Sequence, residues 1–237
     1  MIDRSRALMY SGGHKGTEAE FGRCADRWHI REVTFSFKGH QMEWSRDVRV
    51  LSEDELRKGD ISMEIVSARL GRTYTRLDAV RRVVQSMFHI VTNSWQVFAV
   101  GWIQPDKTVR GGTGWGVELA KFFNRRVSVF DQAQEHWYTW TGTEWQRDLP
   151  TIGEKPFAAT GTRHLSDAGR AAIQALFERS FGAAPEQPLA AGRPAPSAAS
   201  TPAKAAAQPA ARKAAPAKPA PKPAARAGAT KQATKKK

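Results

Sequence analysis

Residues 7–17 read Ala7-Leu8-Met9-Tyr10-Ser11-Gly12-Gly13-His14-Lys15-Gly16-Thr17. The apolar run 7–11 has the length of a short buried strand, and the glycines end it. A helix is predicted from Thr17 to Trp28, with Thr17 as its N-cap. Glu18 and Glu20 fall in its first turn, where carboxylates suit the positive helix end. A strand that ends in glycines and opens a helix exposes backbone N–H groups at a positive terminus, which is a phosphate site by physics. The spacing is neither G-x-G-x-x-G nor G-x-x-x-x-G-K-S/T, so a plain tight turn stays open as the alternative.

A second stretch repeats the arrangement. Gln96–Ile103 (QVFAVGWI) is an apolar run of strand length, expected at the centre of a sheet covered on both faces. Arg110-Gly111-Gly112-Thr113-Gly114-Trp115-Gly116-Val117-Glu118 follows it, and a helix is predicted from Trp115 to Asn124. So dense a run of glycine is costly unless the backbone must be bare. Both turns then lie at the C-terminal ends of strands, where open α/β sheets bind ligands.

Working outward, Arg31–Phe37 alternates as a strand. Residues 38–60 read as a long loop with a short strand near Val48–Leu51. Ile61 to about Ser94 is helical with a break near Gly71. Val127–Phe130 is a strand, His136–Trp145 an aromatic hairpin turning at Thr141-Gly142, and Phe157–Thr160 a last strand before Gly161-Thr162-Arg163. Ser166 caps a final helix to about Phe181. Strands alternating with helices predict an α/β, Rossmann-like fold: a mostly parallel sheet with helices on both faces.

The formal charge of +14 is uneven. Residues 183–237 hold eleven Lys/Arg and one acid, Glu186, about +10 in all. Residues 1–182 carry about +4 and form the predicted domain. From Ala183 onward Ala, Pro and Lys dominate and aromatics vanish, so a disordered basic tail is expected. It is suited to nonspecific contact with nucleic acid, or to a spacer role. A single cysteine, Cys24, excludes an internal disulfide framework. The six histidines have no metal spacing, so neither metal nor cofactor is expected. With no signal segment and no long apolar run, a cytoplasmic protein without a membrane span is expected. Homo-oligomerisation stays open.

The two glycine turns together resemble the SLOG superfamily, which includes the Lonely Guy-type phosphoribohydrolases and molybdenum-cofactor carrier-like proteins. The first motif there is like G-G-G-x-x-G, where this chain has Ser11-Gly12-Gly13-His14-Lys15-Gly16. The second is P-G-G-x-G-T-x-x-E; this chain keeps the glycines and Glu118 but has Arg110 for the proline and Trp115 for the threonine. The resemblance implies a nucleotide-like ligand, with N-glycosidic hydrolysis served by Glu118 and an upstream arginine that Arg81 or Arg82 might supply only if it reached the site. The departures around Glu118 favour binding without turnover.

The predicted site therefore has Glu118 as its catalytic residue. Ser11, Gly12, Gly13, His14, Lys15, Gly16, Thr17, Gly111, Gly112, Thr113, Gly114, Trp115 and Arg163 are its ligand-binding residues. Arg163 is included because it follows the last strand and suits bidentate contact with an anion. Three functions stay open: a nucleotide-binding hydrolase, a non-enzymatic sensor or carrier, and a nucleic-acid-associated protein acting through its tail.

Overall fold

The computed structural model describes residues 3–74 and 78–186; the tail sequence from 187 to 237 lies outside the described residues. Eight strands form one sheet: β1 (Leu8–Ser11), β2 (Arg31–Phe37), β3 (Arg49–Leu51), β4 (Gln96–Gly101), β5 (Arg126–Asp131), β6 (His136–Trp140), β7 (Trp145–Arg147) and β8 (Phe157–Gly161). Their order is β3-β2-β1-β8-β4-β5-β6-β7. The first six in that order pair in parallel, and only the β6–β7 hairpin runs antiparallel. The fold is thus α/β and Rossmann-like, as the sequence predicts.

Side chains alternate across the sheet as strand geometry requires. Val97 and Ala99 of β4 enter one core layer, while Phe98 and Val100 enter the other. The first layer is closed by helices α3 (Asp60–Leu70), α4 (Asp78–Thr92) and α5 (Thr113–Phe122), through Met63, Val66, Val84, Met87, Val117 and Leu119. The second is closed by α1 (Thr17–Arg27) and α6 (Asp167–Phe181), through Phe21, Cys24, Ile173, Leu176, Phe177 and Phe181. Each fully buried aromatic here is worth about 2 to 3 kcal/mol of transfer free energy. Cys24 is a packed core thiol, pushed up to about 12 by burial.

Several local expectations change. Thr17 is the first residue of α1 and Gly16 is its N-cap; the Thr17 hydroxyl donates to Thr162 O at 2.9 Å instead of capping the helix. The supposed long loop 38–60 contains a short helix, α2 (Glu53–Arg57), set by a capping box: Ser52 Oγ accepts from Glu55 N, and Glu55 reaches back to Ser52 N. Helix α5 begins at Thr113, two residues before the expected start. The break at Gly71 is a left-handed helix C-cap with φ 60°. Ser166 caps α6 as predicted, its Oγ accepting from Gly169 N.

Strand β8 lies between β1 and β4. From β1 the chain steps one way to β2 and β3, and from β4 it steps the other way to β5 and β6. The crevice outside the C-terminal ends of β1, β8 and β4 is therefore the topological switch point of the sheet. No helix among the described residues is long and apolar enough to cross a membrane.

Candidate functional site

One cleft of about 920 Å³ opens at that switch point. Both glycine regions and the turn after β8 contribute to it: His14 and Glu18, then Arg110, Gly111, Gly112, Thr113 and Trp115, then Gly161, Thr162, Arg163 and His164. Val80, Val83, Val84 and Met87 of α4 supply an apolar wall, and Phe37, His40 and Trp102 complete the rim. Glu18 is the only acid among the described lining residues, against the cations Arg110 and Arg163.

The two turns are used differently. At the first, the amides of Gly12 and His14 donate to Glu18 Oε2 at 3.2 and 3.0 Å. The Thr17 amide donates to Thr162 O at 3.1 Å. The anion position of this turn is thus filled by the chain's own carboxylate. Its glycines answer to packing as well. Gly13 has φ +69°, and a Cβ there would meet Trp44 O at 2.1 Å. Gly16 has φ +88°, and a Cβ would meet Arg163 O at 2.6 Å. Gly13 O accepts from the amides of Glu43 and Trp44, so the 38–48 loop and the turn after β8 both close onto this corner.

The other residues predicted there do not face a ligand. Ser11 is buried and its Oγ donates to Glu32 Oε1 at 2.9 Å, while Lys15 is exposed and does not line the cleft. Glu32 also accepts from Trp44 Nε1 at 2.9 Å, and burial raises its carboxyl to about 7.

At the second turn no side chain caps α5 at Gly112. A Cβ at Gly111 or Gly112 would meet nothing within 4 Å. Arg72 holds the turn from behind, donating to Gly111 O at 2.8 Å and to Val109 O at 3.4 Å. The Arg110 guanidinium lies 5.9 Å from the Trp102 ring centre. Bare backbone, a positive helix end and two arginines therefore face the same open volume.

Glu118 is not in this cleft, which corrects its expected position. It lies one turn beyond Gly114, and that face of α5 meets the 106–109 turn: a Cβ at Gly114 would sit 2.2 Å from Val109 O. Glu118 pairs with Lys121 Nζ at 2.7 Å, both side chains being nearly buried, and lines a separate cleft with Asp106, Arg69 and Trp140. Lys121 also donates to Lys107 O and lies 3.9 Å from the Trp140 ring centre. Burial pulls its ammonium below the usual range against the opposing pull of Glu118. Arg81 and Arg82 are paired with Asp60 and Glu53.

Sequence reasoning missed Glu18 and His40 as site residues. Glu18 Oε2 lies 3.0 Å from His14 Nδ1, and its Oε1 accepts from Thr160 Oγ1 at 3.1 Å. His14 Nε2 lies 3.0 Å from His40 Nε2, and His40 stacks on Phe37 with ring centres 4.4 Å apart. Burial opposes the Glu18 charge, but the His14 imidazole and the amides outweigh it and hold the carboxyl below its usual range. Burial also pulls His14 down, and the Glu18 carboxylate more than reverses this, with Arg163 opposing. His40 is driven down to about 4, by burial first and His14 second. The pair is therefore a carboxylate holding an imidazolium, which donates to a neutral His40. A glutamate in the first turn of a helix behind a glycine turn was the available signal for Glu18. Nothing local marked His40, which comes from a loop. Among the described residues no group of three or more His, Cys, Asp and Glu is placed to hold a metal ion. The chain matches no protein-family model, no curated protein and no solved structure.

Proposed function

We propose that the switch-point cleft binds a phosphate-bearing, nucleotide-like ligand. Its phosphate would lie at the second turn, on the uncapped start of α5 between Arg110 and Arg163. Its base and sugar would lie along Val80, Val83, Val84, Met87 and Trp115. The observation that carries the reading is this pairing: an open cationic helix start faces an apolar wall across one cleft of about 920 Å³. A volume of this order suits a small ligand of that kind. The reading narrows the two-turn phosphate site expected from sequence to one turn, because Glu18 holds the other.

The resemblance to the SLOG superfamily supports a nucleotide ligand through the second glycine run alone. It gives no support to catalysis by Glu118, which faces Lys121 in a different cleft. Binding is common to the hydrolase and carrier readings.

The test is a charge placed where the phosphate would lie. Gly112 has φ −61° and open space around a Cβ, so Gly112→Asp is compatible with the backbone. An N-cap carboxylate also suits a helix start. Calorimetric titration with AMP, ribose 5-phosphate and adenosine should give binding of the two phosphates and weaker binding of adenosine. Gly112→Asp should weaken AMP at least about tenfold, as expected for one charged contact worth about 1.4 kcal/mol or more, without lowering Tm. Equal AMP affinity in both proteins, or no binding by the parent, would sink the reading.

A further inference from the structure

We infer that His14 is the general acid of this cleft, that Glu18 positions it, and that a bound ligand takes the place of His40 at its Nε2. The inference rests on the proposed nucleotide binding and adds turnover to it. Three geometric facts carry it. The Glu18 carboxylate grips His14 Nδ1 at 3.0 Å and is itself fixed by two amides and the Thr160 hydroxyl, so the ring's orientation and tautomer are set. His14 lines the cleft, and its second nitrogen is directed along the wall to His40 at 3.0 Å. His40 is held by that bond and by stacking on Phe37, at the end of a strand where Lys38 and Gly39 are exposed. Its Nδ1 is buried with no hydrogen-bond partner, so the present arrangement leaves a polar atom unsatisfied. A ligand atom that replaces His40 at His14 exchanges one N–H bond for another and frees His40 to find a partner.

The charges facing His14 come from three elements: Glu18 on α1, His40 on the 38–48 loop, and Arg163 after β8. Glu18 prevails, so the ring carries its proton at neutral pH. Of the bonds in a nucleotide, the one from sugar to base needs a proton on the departing nitrogen, which an imidazolium supplies directly. As the C1′–N bond breaks, its electron pair goes to the base nitrogen, which takes the Nε2 proton of His14. Water adds to C1′ and gives its proton to the neutral imidazole, restoring it. One water is consumed, and a free base and a sugar phosphate are released.

The experiment uses the full chain with AMP, GMP, CMP and UMP. Binding is read by calorimetry and base release by chromatography. His14→Asn keeps a donor toward Glu18 but cannot act as an acid. Base release should fall by about 10²-fold or more in this variant, while AMP affinity stays within about threefold. In the parent, turnover should decline as pH rises through the raised His14 pKa, and Glu18→Gln should move that decline to lower pH. Nuclear magnetic resonance of ¹⁵N-histidine in the parent reads the same pairing without substrate: His14 should remain protonated above the pH at which a free imidazole loses its proton. Equal turnover by His14→Asn and parent overturns the inference, as does a His14 ring that is neutral below about pH 6.5. A parent that binds nucleotides but releases no base also overturns it and leaves the binding reading standing. A parent that binds none of the four removes both.

Discussion

The two glycine turns have the same kind of sequence and the same place in the fold, yet their polar groups have opposite fates. Each follows a parallel strand and opens a helix at the switch point. At Gly12–Gly16 the helix that follows brings a carboxylate, Glu18, back onto the turn, and two neighbouring loops pack against it. At Gly111–Gly114 the helix that follows begins with Thr113, Gly114 and Trp115, and no acidic residue lies in its first turn. The difference teaches that a glycine turn before a helix is an anion site only when the first turn of that helix leaves the site vacant. Glycine content says that the backbone comes close to something; the residues after it say whether that is a ligand or the protein itself.

Removing the internal anion should give the largest effect. Glu18→Ala leaves a buried imidazolium and two amides without their partner, and breaking a buried pair of this kind costs about 3 to 5 kcal/mol. Unfolding in urea should show a loss of this size at pH 7. It should also show rescue, because the vacated turn becomes an anion site: phosphate or acetate should restore part of the lost stability in the variant and not in the parent. Absence of any anion-specific rescue would break the comparison, since the first turn would then have no intrinsic affinity for a negative group.

Gly13→Ala comes next. The residue is left-handed, and its Cβ would lie 2.1 Å from the Trp44 carbonyl oxygen. The substitution combines a positive-φ penalty with a clash against backbone, together about 2 to 3 kcal/mol. Urea unfolding measures it; a variant as stable as the parent would show that Gly13 is not needed for loop packing.

Most of the architecture was legible in the sequence, and the reasons are local. Alternation in Arg31–Phe37, the apolar run Gln96–Gly101 and the Ser166 cap each specify an element by short-range chemistry. What was hidden is long-range. Nothing near Glu118 states that its face of α5 meets the 106–109 turn, and nothing near His40 states that its loop closes on Gly13. The α2 helix is a different kind of miss: Ser52 and Glu55 spell a capping box, and only the surrounding polar residues concealed it.

A smaller effect concerns the joint beneath the first turn. Glu32 is buried against Ser11 and Trp44, and its folded carboxyl titrates at about 7 against an ordinary value of 4.5. The folded state therefore holds this proton more tightly than the unfolded one. Its contribution is fully present below pH 4.5 and is lost as pH rises through about 7. Glu32→Gln keeps an acceptor for Trp44 and has a donor for Ser11, but carries no charge. The variant should gain about 1 to 2 kcal/mol at pH 8 and almost nothing at pH 4.5. Thermal unfolding across this range checks it, and equal gains at both pH values would remove ionisation from the explanation.

The smallest effect on stability is expected at the second turn, where Gly112→Ala separates ligand binding from folding. Gly112 is right-handed with φ −61°, and a methyl group there meets nothing within 4 Å. Alanine restricts the unfolded chain, which stabilises by about 0.4 to 1 kcal/mol. It is also a poorer N-cap than glycine, which costs a comparable amount. The two offset, so urea unfolding should change by less than about 0.5 kcal/mol. The same methyl projects into the cleft where the phosphate would approach the α5 amides, so AMP affinity should fall several-fold. The contrast with Gly13→Ala is the sharpest form of the comparison: one methyl should unsettle the fold and the other should be felt only by the ligand. A large stability loss in Gly112→Ala would mean that the second turn, like the first, is bare for the protein's own packing.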